Sequence, residues 1–107
     1  MISMDIHHFF GIDRSSSMMV LITYDVNTET PEGRRRLRQV AKVCENYGQR
    51  VQHSVFECVI DNMLLKKIQH QLAKIIDEEN DSIRYYYLGD NYKYKVEHIG
   101  VNHSFDI

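Results

Sequence analysis

Residues 20–40 read VLITYDVNTETPEGRRRLRQV, and the fold turns on how this stretch divides. Its first part, with Met19 before it, is a nearly continuous apolar run of β-branched and aromatic residues, which predicts a strand over 19–26 buried on both faces. The polar Asn27-Thr28-Glu29-Thr30 breaks that pattern. Thr30-Pro31 then starts a helix: a threonine hydroxyl suits the N-cap, and proline suits the first helical position because its missing N–H is not needed there. Leu37, Val40, Ala41, Cys44 and Tyr47 recur at the spacing of one helical face, and Gly48 offers a stop.

Outward from this unit, Arg50 to Ile60 is β-rich, and Gln52-His53-Ser54 divides it as the turn of a hairpin. A second helix is expected from Asn62 to Glu79, with Asp61 as N-cap. Leu64, Leu65, Ile68, Leu72, Ile75 and Ile76 share its inner face. The run IRYYYL (83–88) is a third clear strand segment, and YKVEHIGV (94–101) a weaker last strand. Strand, helix, hairpin, helix, strand and one extra C-terminal strand predict an α+β sandwich with both helices on one sheet face. The ferredoxin-like βαββαβ arrangement is the simplest topology that fits. Such a sheet leaves its other face bare. The doubly apolar first strand and Tyr85-Tyr86-Tyr87 imply that a second copy covers it, in a face-to-face homodimer.

A chain of 107 residues allows one domain with a modest core, which makes self-association a natural way to bury more apolar surface. With 13 Lys and Arg against 15 Asp and Glu, the net charge of −2 excludes a wholly basic nucleic-acid-binding surface, so any basic patch must be local. No apolar run reaches membrane-spanning length and no signal peptide is visible, so a cytoplasmic protein without membrane partners is expected. Cys44 and Cys58 lie in apolar segments outside any C-x-x-C pair, as reduced core thiols do. Residues 1–17, MISMDIHHFFGIDRSSS, show no sustained period and read as an appended leader or expression scar. The alternative there is a metal site from Asp5, His7 and His8. Residues 18–107 are then the single ferredoxin-like domain.

Four arginines occupy five positions, 34 to 38. With the apolar stripe inward, Arg35, Arg38 and Lys42 fall at i, i+3 and i+7 on the outward face, and a charged outer face needs no ligand. Yet cations at a helix N-terminus oppose the macrodipole, and guanidinium groups match phosphate oxygens bidentately. An anion such as phosphate held there offsets the penalty. Asp25, at the end of the apolar strand, is either a turn residue or a ligand for a hard cation such as Mg²⁺. One carboxylate per chain is a poor catalytic site, whereas two meeting at a two-fold axis supply what a nuclease needs. Asn27 points the same way if the strand persists. The histidines show no metal-ligand spacing, and there is neither a P-loop nor a serine-nucleophile elbow.

The strand ending ITYDV, the arginine-rich helix, NYGQRVQHSVFEC (46–58) and the terminal VEHIG (96–100) together resemble the CRISPR-associated Cas-two family of small spacer-acquisition proteins. The likeness runs in order through residues 19–101. It implies a ferredoxin-like fold and a homodimer whose sheets pack face to face, with the last strand reaching the partner. By position, Asp25 is similar to the family's metal ligand and catalytic residue, one from each protomer flanking a single Mg²⁺ or Mn²⁺ ion. Tyr24 is its strand neighbour. Arg34, Arg35 and Arg50 resemble residues used on nucleic-acid backbone, and Ser54 and Phe56 lie in the motif near the shared site. Two functions follow: a metal-dependent endonuclease acting on RNA or DNA, or a non-catalytic adaptor that bridges copies of the Cas-one integrase and binds duplex DNA. The segment after Gly100 is either a partner-binding tail or a frayed terminus.

Overall fold

The computed structural model describes residues 17–101. The leader up to residue 16, with Asp5, His7 and His8, and the tail from residue 102 lie outside the described residues. Strand β1 (Met18–Asp25) alternates between two environments. Val20, Ile22 and Tyr24 point into the core, whereas Leu21 and Thr23 on the other face are half-buried and Asp25 is exposed. The expectation of burial on both faces therefore holds fully for one face and by half for the other.

Helix α1 (Pro31–Tyr47) begins as its sequence signals require. The Thr30 hydroxyl accepts from the Gly33 N–H at 3.0 Å, and Pro31 takes the first turn. Its apolar stripe packs Val40 and Cys44, both fully buried, against the sheet. Gly48 ends the helix in extended backbone at φ −151°, so a left-handed cap is not its role. A Cβ at that position would fall on Cys58 Sγ and lie 2.7 Å from the Glu57 carbonyl oxygen. Glycine is needed there because two chain segments touch.

The hairpin is formed by β2 (Gln49–Gln52) and β3 (Val55–Ile60), turning at His53-Ser54. Helix α2 (Asn62–Ile75) starts at Asp61, whose carboxylate accepts from Leu64 N–H at 2.8 Å, and buries Leu65, Ile68 and Leu72. It ends four residues short of Glu79. The polar segment beyond it competes for the backbone: Asp77 accepts from Glu79 N–H and Asn80 Nδ2, and Asp81 accepts from Asp77 N–H. Strand β4 (Ser82–Gly89) follows.

The four strands form one antiparallel sheet in the order β2-β3-β1-β4. Val20, Ile22 and Tyr24, with Phe56, Cys58 and Ile60, form the core with the inner faces of both helices. Cys44 and Cys58 are free thiols in that core, and burial pushes both up to about 12. The register places Met19, Leu21, Thr23 and Asp25 on the opposite face, beside Val55, Glu57, Val59, Arg84 and Tyr86. The helices do not cover this side.

The expected extra C-terminal strand is absent among the described residues. Residues 90–101 contain only a turn, closed by Lys95 N–H to the Tyr92 carbonyl at 3.0 Å, and Tyr94, Ile99 and Val101 are exposed. A strand needs a neighbouring strand for its backbone groups, and this segment meets none among the described residues.

Candidate functional site

Asp25 is the last residue of β1, paired in register with Ser82, the first residue of β4. Its carboxylate is exposed on the open sheet face and carries no ion pair among the described residues. Beyond this pair the ladder ends, so other contacts must fix the backbone that follows.

Those contacts converge on Asn27 and Asp81. The strand does not persist to Asn27, which lies in the loop and does not project beside Asp25. Its N–H donates to Asp81 Oδ1 at 3.0 Å, and its own Oδ1 accepts from Glu29 N–H at 2.9 Å. Asp81 has a fully buried side chain, yet it is ionised because donors surround it. Arg36 approaches it with Nε at 2.7 Å and Nη2 at 3.3 Å, and Asp77 N–H adds a bond at 2.9 Å. Burial works against the charge, but Arg36 and the two backbone donors outweigh it and hold the Asp81 carboxyl below the ordinary range. Arg34 steadies the same loop by donating to the Thr28 carbonyl at 3.1 Å. Gly33 allows α1 to abut the Asn27 carbonyl.

The arginine block thus divides. Arg34 and Arg36 face the loop, whereas Arg35 and Arg38 point outward with Lys42. These three, with Gln39, Val43 and Ile75 from the end of α2, line an open groove of about 370 Å³. The expected outward basic face is therefore a continuous surface with an apolar floor. Asp25 is not among its lining residues.

The other expected site residues go elsewhere. Arg50 pairs with Glu45 of α1 at 3.3 Å and lies 5.0 Å from the Phe56 ring centroid. Its buried Nε has no hydrogen-bond partner among the described residues. Phe56 and Tyr24 stack at 6.2 Å within the core, on the sheet face opposite Asp25. Burial raises the Tyr24 hydroxyl above its usual range, against the lowering pull of Arg50. Ser54 receives the Tyr24 N–H through its carbonyl at 3.1 Å, closing the hairpin end onto β1. Arg36 and Asp81 were not legible as a pair, because 45 residues separate them and nothing local marks the contact.

A magnesium or manganese ion takes several oxygen ligands. No group of three or more His, Cys, Asp or Glu among the described residues is placed to hold one. Among the described residues, the exposed Asp25 carboxylate is an oxygen donor of the kind such an ion takes, without the further ligands beside it that the ion needs.

The chain has a four-stranded antiparallel sheet with two helices, an exposed strand-end carboxylate and a separate basic groove. A family model described as CRISPR associated protein Cas2 matches residues 18–96. The chain belongs to this family. The CRISPR-associated endonuclease Cas2 of Halalkalibacterium halodurans is 59% identical over 90 residues, covering 84% of this chain and 94% of that protein. The CRISPR-associated endoribonuclease Cas2 of Nitratidesulfovibrio vulgaris is 52% identical over 92 residues, covering 86% and 90%. The crystal structure of Streptococcus pyogenes Cas2 at pH 6.5 aligns with a TM-score of 0.69 at 61% identity, over 78% of this chain and 100% of that one. Among the described residues, no helix is long and apolar enough to cross a membrane.

Proposed function

We propose that this chain is a cytoplasmic CRISPR adaptation protein that works as a face-to-face homodimer, a metal-dependent endonuclease cutting RNA or DNA that also binds duplex DNA. The observation that carries the proposal is the place of Asp25: a bare oxygen donor at the end of β1, on the sheet face the helices leave open. The antiparallel order β2-β3-β1-β4 supports a ferredoxin-like topology, and the half-buried Leu21, Thr23 and Val55 beside Asp25 give two such faces a reason to pack. Packing them would bring two Asp25 carboxylates toward one axis, where together they would hold one Mg²⁺ or Mn²⁺ ion. When bound, that ion supplies neutralisation of the charge developing on a phosphodiester and acidifies a water for in-line attack. Asp25 fixes the ion's place, and Arg35, Arg38 and Lys42 hold nucleic-acid backbone.

A second reading is favoured by the separation of Asp25 from the basic groove. In it the dimer is a non-catalytic adaptor that lays duplex DNA on the groove and bridges copies of the Cas-one integrase, which performs the chemistry. Cleavage of duplex DNA and single-stranded RNA by wild type and Asp25→Ala, with Mg²⁺, Mn²⁺ or EDTA, separates the two. Metal-dependent cleavage lost in the variant while binding survives supports the endonuclease. Binding without cleavage in the wild type leaves the adaptor.

A further inference from the structure

We propose that Asp81, held by Arg36, is the positioning residue for Asp25; this rests on Asp25 being the metal ligand. The register ends at the pair Asp25–Ser82, so the direction in which the Asp25 carboxylate leaves the sheet depends on what holds the chain just beyond it. Asp81 reaches both strands of that end. It immediately precedes Ser82, and it takes the N–H of Asn27, two residues after Asp25. Its remaining acceptor positions are filled by Arg36, which anchors it to α1, and by the Asp77 N–H, which anchors it to the turn after α2.

The contacts of this carboxylate are local to one corner. It does not pack in the apolar core built from Val20, Ile22, Phe56, Ile68 and Leu72. Its loss leaves the Asn27 N–H without that acceptor and unpins the chain on both sides of the Asp25–Ser82 pair, at Asn27 and at residue 81, while Val26 keeps its place in the core and the sheet and both helices keep their packing. Two carboxylates that must share one ion across an axis are sensitive to small errors in direction, since both must meet the ion's short oxygen distances together. Changing an outer residue that orients a metal ligand typically costs about ten- to a hundredfold in metal affinity.

The test compares wild type, Asp25→Ala, Asp81→Asn, Arg36→Lys and Leu72→Val. Mn²⁺ binding is followed by loss of the free-ion electron paramagnetic resonance signal, thermal melting reports stability, and nucleic-acid binding is measured in EDTA. Asp81→Asn keeps the shape but removes the charge and turns one acceptor oxygen into an NH₂ donor facing N–H donors, and is expected to weaken Mn²⁺ binding by about ten- to a hundredfold. Its binding of nucleic acid in EDTA stays unchanged, because Arg35, Arg38 and Lys42 are untouched. Arg36→Lys, which cannot reach both carboxylate oxygens, moves Mn²⁺ binding in the same direction and serves if Asp81→Asn does not fold. Leu72→Val lowers the melting temperature through the core and leaves Mn²⁺ binding alone. Wild-type affinity in both corner variants, or an equal loss in Leu72→Val, overturns the positioning role. If wild type and Asp25→Ala bind Mn²⁺ alike, Asp25 is not the ligand, and the positioning role falls with that reading rather than by itself.

Discussion

A carboxylate with no solvent exposure persists as a charge only while every lone pair is answered, and Asp81 meets that condition through Arg36, Asn27 and Asp77. Because its native pKa lies below the ordinary carboxylate value, it stabilises the fold fully above that value and loses the contribution as pH falls through the native pKa. Asp81→Asn is therefore expected to cost about 2–3 kcal/mol at neutral pH, less than the ~3–5 kcal/mol of a fully buried pair because Arg36 keeps some exposure. The gap between wild type and variant should shrink below about pH 4. Denaturant melts across that range check it, and a gap independent of pH sinks the explanation. Gly48 is a second residue whose role is spatial. Gly48→Ala places a Cβ against Cys58 Sγ and the Glu57 carbonyl, and should destabilise the protein by about 1–3 kcal/mol in urea melts.

At the scale of elements, α1 serves two surfaces at once. Its inner edge clamps the loop after β1 through Arg34 and Arg36, while its outer face presents Arg35, Arg38 and Lys42 along one groove. Replacing those three with glutamine should weaken nucleic-acid binding at low salt with no change in melting temperature. The slope of log affinity against log salt should fall by about 0.9 for each cation that touches a phosphate of duplex DNA. An unchanged slope means that the groove is not the binding surface. The caps of both helices were legible because a cap is a local event: Thr30-Pro31 and Asp61 act within one turn. The outward triad was legible for the same reason, as helical spacing alone places it. What the sequence hid depends on distant neighbours. The end of α2 at Ile75 is set by the bonds among Asp77, Glu79, Asn80 and Asp81, and Asp81 in turn by an arginine on another helix. Arg50, Tyr24 and Phe56 carry residue types suited to a site, yet strand register puts them on the core side of the sheet, away from Asp25. One step of register decides such an outcome, and composition does not encode it.

For the whole molecule, the unexplained surface and the unformed strand belong to one problem. The sheet has one face packed by helices and one that keeps Leu21, Thr23, Val55 and Glu57 half-buried and Tyr86 exposed. The segment expected as a last strand is left with Tyr94, Ile99 and Val101 in solvent. The second chain of the proposed homodimer would answer both needs, because two open faces would bury each other and a terminal segment would gain a foreign sheet edge to pair with. Leu21 lies near the middle of that face, opposite Glu57 on one side and Tyr86 on the other. In the dimer, Leu21→Glu would bury a new carboxylate beside Glu57 in each chain, and removing such unpaired charge from water is unfavourable by several kcal/mol on the order of a weak dimer's whole stability. In the free monomer the same side chain reaches water, so the fold survives. Sedimentation equilibrium should then find wild type as a dimer and Leu21→Glu as a monomer with an unchanged circular dichroism spectrum. Monomeric Leu21→Glu should also lose Mn²⁺ binding while Asp25 itself is intact, since in the proposed two-fold site each chain would hold half of the ligand set. A variant that stays dimeric, or a monomer that binds Mn²⁺ as wild type does, removes the two-fold site.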